Sequence, residues 1–142
     1  MYPSDESISG EISPGDHQTI QTIRSFISDS LKPDDVLVCP LAVGKHVDHQ
    51  LVRQALEGLN RPLIYFADIP YIFNYPEQFA AEKLNFQSQS FPLSQGSLTT
   101  WKTSIESYRS QLGGLFKDSL DMHTRIDSYF KANEGIHLLI PT

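Results

Sequence analysis

The chain has 142 residues, of which 39% are hydrophobic and 20% charged, and its formal net charge is −6. This length fits one domain with its own core, and the acidic balance, without any Lys/Arg cluster, disfavours nucleic acid as the main partner. The single cysteine, Cys39, excludes an internal disulfide, and no apolar stretch approaches the ~20 residues that span a membrane, so we expect a cytoplasmic protein without a membrane span.

The first half of the chain predicts a βαβ unit that follows a helix. Residues 1–15 are rich in Ser, Pro, Gly and acidic residues and are interpreted as an irregular lead-in. Apolar residues recurring every three or four positions predict a helix over 17–31, with Asp16 as its candidate N-cap. The apolar runs "VLVCPL" (36–41) and "PLIYF" (62–66) predict parallel strands, with Cys39 in the core and an amphipathic helix to about residue 59 between them.

The second half alternates in the same way. An aromatic loop is expected over 67–75, a short helix over 77–84 and an edge strand within 85–93. Apolar residues from Leu98 to Phe116 describe one helical face. Asp118 is expected to cap a further helix through Phe130, with Leu120, Met122, Ile126 and Phe130 inward. A last strand is expected over 136–140, so the predicted class is α/β in a single domain.

The stretch "GKHVDH" (44–49) is the strongest candidate for chemistry, because it follows the first strand, at the edge where open α/β sheets collect their ligands. His46 and His49 are three apart and share a face in a first helical turn. Imidazole is a common zinc ligand, and a carboxylate such as that of Asp48 can orient it. The alternative is a polar helix start, where an acidic residue is favoured by the helix dipole.

Several stretches resemble motifs of the PIG-L/LmbE-like family of zinc-dependent de-N-acetylases, in consistent order along nearly the whole chain. The segment over 40–55, with its HxDH signature, is the most specific match. "YFADIPY" (65–71) is similar to the family's Tyr-Glu-Asp-φ-Pro-Tyr segment, with φ apolar and Ala67 in place of Glu. "YRSQLGGLF" (108–116) resembles its C-terminal helix motif, and "SISGEISPGDHQTI" (7–20) the lead into the preceding helix.

The resemblance implies a Rossmann-like sheet and one zinc ion, used to remove acetyl from an N-acetylated sugar or glycoconjugate. By position, His49 would be the third zinc ligand. His46 would stabilise the oxyanion or protonate the leaving amine, and Asp48 would hold a histidine in the right tautomer. Asp68 and Tyr71 are candidates for substrate contact in the crevice, with a loop aspartate and a packed tyrosine as the alternative.

The sequence departs from the family where the first two zinc ligands and the general base would stand, because it lacks an Ala-His-Pro-Asp-Asp-Glu motif. "YPSDE" (2–6) and "KPDDV" (32–36) imitate it weakly, and we interpret their acidic residues, Asp5, Glu6, Asp34 and Asp35, as solvated. The chain therefore resembles the C-terminal two-thirds of a family member that begins after its first signature, without the first βα units.

Three hypotheses follow from this departure. In the first, the chain belongs to an active hydrolase whose missing motif is encoded upstream. In the second, it is an inactive remnant that acts as a binding or interaction module, and an exposed sheet edge promotes self-association. In the third, a separate chain supplies the missing ligands. The spacing of the scattered His17, His123 and His137 does not bring them to the site, and they are interpreted as surface or structural residues.

Overall fold

A computed structural model describes residues 8–142, and the interpretation of Asp5, Glu6 and the rest of "YPSDE" lies outside them. The chain divides into two compact units, one comprising the described residues up to Gln87 with Leu139–Thr142 and the other Ser88–Leu138. The predicted α/β class is confirmed, with one four-stranded sheet in the order β1-β2-β4-β3. The elements are α1 (His17–Ser30), β1 (Leu37–Pro40), α2 (Val47–Glu57), β2 (Leu63–Phe66), α3 (Tyr71–Asn74), α4 (Pro76–Lys83), β3 (Phe86–Phe91), α5 (Gln95–Glu106), α6 (Arg109–Leu115), α7 (Ser119–Asn133) and β4 (Ile136–Pro141).

The predicted βαβ unit is confirmed. Strands β1 and β2 are parallel neighbours, in register from Leu37 opposite Leu63 to Pro40 opposite Phe66. Helix α2 connects them, and its Leu51 and Ala55 are buried. The two carboxyl ends of the strands therefore meet at one edge of the sheet, where loops 41–46 and 67–70 begin.

Cys39 is a core residue, as the sequence predicts, with no solvent exposure. Burial raises the pKa of its thiol to about 12, with a smaller contribution from Glu57. A thiol held protonated in this way is a poor nucleophile and a poor metal ligand. Cys39 therefore acts in packing.

Helix α1 packs on α2 through Ile20, which forms a buried cluster with Leu51 and Ala55. Asp16 is the N-cap residue of α1, as the sequence predicts, but its side chain makes no cap hydrogen bond to this helix. A 3-10 turn, Pro14–Asp16, precedes the helix, and Asp16 Oδ2 accepts the backbone N–H of Ser13 at 3.0 Å. The carboxylate thus closes a capping box one turn earlier than the periodicity indicates.

The helix expected through Phe116 is broken in two. Helix α5 ends at Glu106 and α6 begins at Arg109, because Tyr108 leaves the helical region with φ −86° and ψ 53°. Tyr108 is also 69% exposed, so it does not continue the inward stripe that the spacing suggested. Because Tyr108 is not buried, the apolar face is interrupted there, and burial of that face does not hold α5 and α6 in one straight helix.

Helix α7 begins where the sequence predicts, since Asp118 accepts the backbone N–H of Asp121 at 2.8 Å. Met122 and Ile126 are fully buried, whereas the prediction for Leu120 is wrong, because its side chain is 75% exposed. Residues two apart point to nearly opposite sides of a helix, so Leu120 and Met122 cannot share the inward face.

Strand β1 ends the strand order and so forms an edge of the sheet. Val36, just before this strand, and Val38, within it, are both exposed. Self-association through this edge stays a prediction. Across residues 8–142, none of the helices has the length and apolar content that crossing a bilayer requires.

Candidate functional site

The loop after β1 makes a sharp turn that brings the histidines back over the sheet edge. Ala42, Gly44 and Lys45 have left-handed φ values of 60°, 80° and 55°. The Lys45 N–H donates to the Ala42 carbonyl at 3.1 Å and closes the turn. A Cβ on Gly44 would lie 2.9 Å from a Tyr71 ring carbon and 3.0 Å from the Tyr75 ring. Glycine is thus favoured at position 44 both by the left-handed backbone and by the aromatic rings packed on it.

His46 is the N-cap of α2, and its Nδ1 accepts the backbone N–H of Asp48 at 3.3 Å. An accepting Nδ1 carries no hydrogen, so the hydrogen of the neutral ring is on Nε2. Burial lowers the pKa of His46, the neighbouring His49 lowers it further, and Asp48 opposes this shift. The site therefore favours a neutral His46 that offers Nε2–H as a donor.

His49 is held by a buried carboxylate from the loop after β2. Its Nδ1 lies 2.8 Å from Oδ1 of Asp68, whose exposure is only 1%. The second oxygen of Asp68, Oδ2, accepts the backbone N–H of Val43 at 2.9 Å. Because a carboxylate accepts, Nδ1 of His49 donates, and in the neutral ring Nε2 carries the lone pair. Asp68 thus fixes the tautomer and also ties the two loops together.

Tyr71 opens α3 beside both imidazoles. Its ring centroid lies 5.8 Å from that of His46 and 5.4 Å from that of His49, and the two imidazole centroids are 5.1 Å apart. Burial raises the pKa of the Tyr71 hydroxyl, and the carboxylates of Asp68 and Asp48 raise it further. The phenol therefore stays protonated, and the cluster presents two aromatic donors and one aromatic acceptor.

Four of the five predicted site residues come together here. His46, His49 and Tyr71 are partly exposed, and Asp68 lies beneath them with both oxygens hydrogen-bonded inside the protein. The carboxylate that contacts a histidine is that of Asp68, whereas Asp48 is exposed and contacts His46 through its backbone N–H. The roles inferred from the resemblance for these residues stay predictions.

Asp68 is predicted to lie in the crevice, but the sequence motif pairs Asp48, and not Asp68, with a histidine. The usable signal is its place: it lies two residues after a strand that is parallel to the one preceding the histidines. Side chains that follow neighbouring parallel strands meet at the same edge. This topology brings Asp68 and His49, 19 positions apart, into contact.

The zinc ion that the resemblance implies would need a set of ligand side chains close together. A catalytic zinc normally takes three protein ligands. Within residues 8–142, no group of three or more His, Cys, Asp or Glu side chains could hold a metal ion. The described residues therefore do not by themselves fit such a zinc site.

A cavity of about 360 Å³ opens beside the same loop, and its size is within the range of small-molecule sites. Its wall combines small apolar side chains with amide and charged groups: Ala42, Val43, Lys45, Gln78, Ala81, Glu82 and Asn85. Gln78 also accepts the Gly44 N–H through Oε1 at 3.1 Å, so the loop and α4 are linked at this wall. A ligand in this cavity would meet both hydrogen-bond donors and hydrogen-bond acceptors.

Comparison with protein-family models, with curated proteins and with solved structures found no match to this chain. The resemblance to de-N-acetylases accordingly rests on the motifs quoted above and on nothing further. The geometry of the site has to support any function by itself.

Proposed function

We propose that this chain is a PIG-L/LmbE-like domain that binds the acetamido group of an N-acetylated sugar or glycoconjugate at His46, His49 and Tyr71, and that it does not hydrolyse that group by itself. The observation that carries the proposal is the hydrogen bond between His49 Nδ1 and the buried Asp68 Oδ1, at 2.8 Å. Burying a carboxylate costs free energy unless it is paired. The buried Asp68 carboxylate is paired with His49 and holds this imidazole in one tautomer.

The donor and acceptor pattern suits a neutral amide. An acetamido group has a carbonyl oxygen that accepts and an N–H that donates. Neutral His46, through Nε2–H, and the protonated Tyr71 hydroxyl are suited to bind the oxygen. His49, whose Nδ1 is committed to Asp68, is suited to accept from the N–H through Nε2. A charged ligand would leave part of this pattern unmatched.

The lack of hydrolysis follows from the missing groups. Amide hydrolysis at neutral pH needs an activated water and a stabilised oxyanion. His46 can supply a donor for the oxyanion, but the general base and two zinc ligands implied by the family motif have no counterpart in the quoted sequence. The chain would therefore bind the same class of ligand as the family without hydrolysing it.

The binding test is a titration of ¹⁵N-labelled protein with N-acetylglucosamine, followed by NMR of the histidine side chains. We expect saturable shifts at His46 and His49 and none at His17, which is exposed at the start of α1. Glucose, which has no acetamido group, is the matched ligand and should cause no such shifts. Asp68→Asn places an amide donor or a neutral acceptor against His49 and should weaken binding about tenfold.

Two outcomes decide the proposal. If N-acetylglucosamine and glucose shift the same resonances equally, the acetamido group is not what the site recognises. Acetate release from N-acetylglucosamine, measured with zinc added, is expected to equal the protein-free blank. Release that His49→Ala abolishes, together with stoichiometric tight zinc, would overturn the claim that the chain does not hydrolyse its ligand.

A further inference from the structure

His137 lies in the second unit, on strand β4 next to β3, and has a hydrogen-bonded partner on each ring nitrogen. Ser88 Oγ is 3.0 Å from Nδ1 of His137, and Nε2 of His137 is 3.2 Å from the backbone carbonyl oxygen of Asn133. Ser88 is exposed and His137 partly exposed, so the pair can be reached from solvent. The proposed acetamido site uses none of these residues.

The carbonyl of Asn133 decides which way the hydrogen bonds run. A carbonyl oxygen only accepts, so Nε2 of His137 must carry the hydrogen. In the neutral ring Nδ1 then has the lone pair, and the Ser88 hydroxyl is the donor at 3.0 Å. A serine hydroxyl that donates to an imidazole, itself oriented by a third group, has the arrangement of an activated nucleophile.

The backbone around the pair is fixed in place. Gly135, just before β4, has φ 152°, and a Cβ there would collide with the backbone carbonyl of Phe91 at the end of β3. The edge of the Tyr129 ring lies against the His137 ring, with centroids 6.4 Å apart. The start of β4 is thus held against β3, and the imidazole is held over Ser88.

We propose that Ser88 is a nucleophile for acyl transfer, with His137 as its general base, and that it accepts the acyl group of an activated ester or thioester. Ser88 Oγ would form a bond to the acyl carbon while its proton moves to His137 Nδ1. The bond from that carbon to the leaving oxygen or sulfur then breaks, and the imidazolium returns the proton to the leaving group. The product is an acyl ester on Ser88, with no change in oxidation state.

Ser90 provides an internal control. It lies two residues further along β3, so its side chain emerges on the same face, and it is also exposed. Its hydroxyl donates to the same Asn133 carbonyl, at 2.8 Å, but that partner cannot take the proton away. Ser88 therefore has a hydrogen-bonded base, His137, whereas the hydroxyl of Ser90 has none.

The test uses the full chain and p-nitrophenyl acetate as the acyl donor, with the acetylated positions followed by mass spectrometry over time. General-base assistance is typically worth a factor of about 10² or more, so Ser88 should be acetylated about a hundredfold faster than Ser90. His137→Gln keeps a polar side chain but removes the base, and should bring Ser88 down to the rate of Ser90.

Equal rates at Ser88 and Ser90 in the unaltered chain would overturn the proposal, and this comparison needs no variant to fold. A hundredfold preference that survives His137→Gln would overturn the role of the imidazole. Circular dichroism of His137→Gln, compared with that of Ser90→Ala, establishes that a lowered rate reflects the base rather than a lost strand.

Discussion

His49 and His137 are both held by an oxygen acceptor on one ring nitrogen, and they differ in what that acceptor is. For His49 it is the carboxylate of Asp68, which is 1% exposed and also binds the Val43 N–H. For His137 it is the carbonyl of Asn133, which the last residue of α7 would present whatever its side chain. The first device depends on one side chain and the second on backbone geometry.

Because of this difference, a single substitution should affect the two regions differently. A buried carboxylate binds several groups at once, so its loss leaves several groups without partners and loosens the fold there. A backbone carbonyl cannot be removed by substitution, so the arrangement around His137 is broken by displacing the end of α7 or a strand, or by replacing Ser88 or His137 themselves. Stability and site geometry should therefore be linked in the first region and separable in the second.

The largest expected effect is that of Asp68→Ala. It removes the acceptor of the buried Val43 N–H and of His49 Nδ1, so we expect the free energy of unfolding to fall by about 3 kcal/mol. Urea denaturation measures it. His137→Ala, which removes only a partly exposed side chain, should cost about 1 kcal/mol or less.

Asp48→Ala is the matched control for that prediction. Asp48 is exposed in the first turn of α2, where a carboxylate gains a few tenths of a kcal/mol from the helix dipole. If Asp48→Ala cost as much as Asp68→Ala, the interpretation of Asp68 as the link between the two loops would be wrong.

The next effect compares the glycines that shape the two regions. Gly135→Ala should lower the free energy of unfolding by about 2–3 kcal/mol, because the new Cβ meets the rigid backbone of Phe91 in addition to the backbone strain of a φ of 152°. Gly44→Ala should cost about 1–2 kcal/mol, since the Tyr71 and Tyr75 rings that its Cβ meets can shift.

Gly113→Ala is a control for which the expected change in the free energy of unfolding has the opposite sign. Gly113 lies within α6 with no atom within 4 Å of an added Cβ, so alanine should stabilise the protein by about 0.5–1 kcal/mol. Thermal denaturation of the three variants ranks them. A smaller loss for Gly135→Ala than for Gly44→Ala would contradict the view that the β3–β4 region is held by its backbone.

The sequence predicts the first region well because its signals are local. The runs that form β1 and β2 and the periodicity of α2 each lie within a few residues, and the parallel pairing follows from their order. His46 and His49 are predicted on this basis, whereas Asp68 and Tyr71 are candidates because "YFADIPY" resembles a family segment. What the pattern could not supply is the burial of Asp68, because burial depends on how the two loops fold over the sheet edge.

The second region was predicted less well because its contacts are distant in the chain. Ser88 and His137 are 49 positions apart, and neither has neighbours that suggest chemistry. The spacing from Leu98 to Phe116 predicted one helical face, but the exposed Tyr108 interrupts it. Apolar periodicity does not show that one residue of a predicted helical face is exposed. It also does not show which residues pair across neighbouring strands.

The smallest expected effect is a pH dependence that arises from His46 in the first region. Burial holds the pKa of His46 below its ordinary value of 6.5. The unfolded chain, with the higher pKa, then binds more protons than the folded chain, so stability rises with pH. The contribution is fully present above pH 6.5 and is lost as the pH falls through 6.5 towards the lower pKa of the folded state.

His46→Asn tests this, because asparagine is a good N-cap and does not titrate. Urea denaturation across this range should show a shallower dependence on pH for His46→Asn than for the unaltered chain, at similar stability above pH 7. His17→Asn, at the exposed start of α1, is matched for the loss of one histidine. If His17→Asn and His46→Asn changed the slope equally, the environment of His46 would have no special influence on its titration, and the neutral donor assigned to it would lose its support.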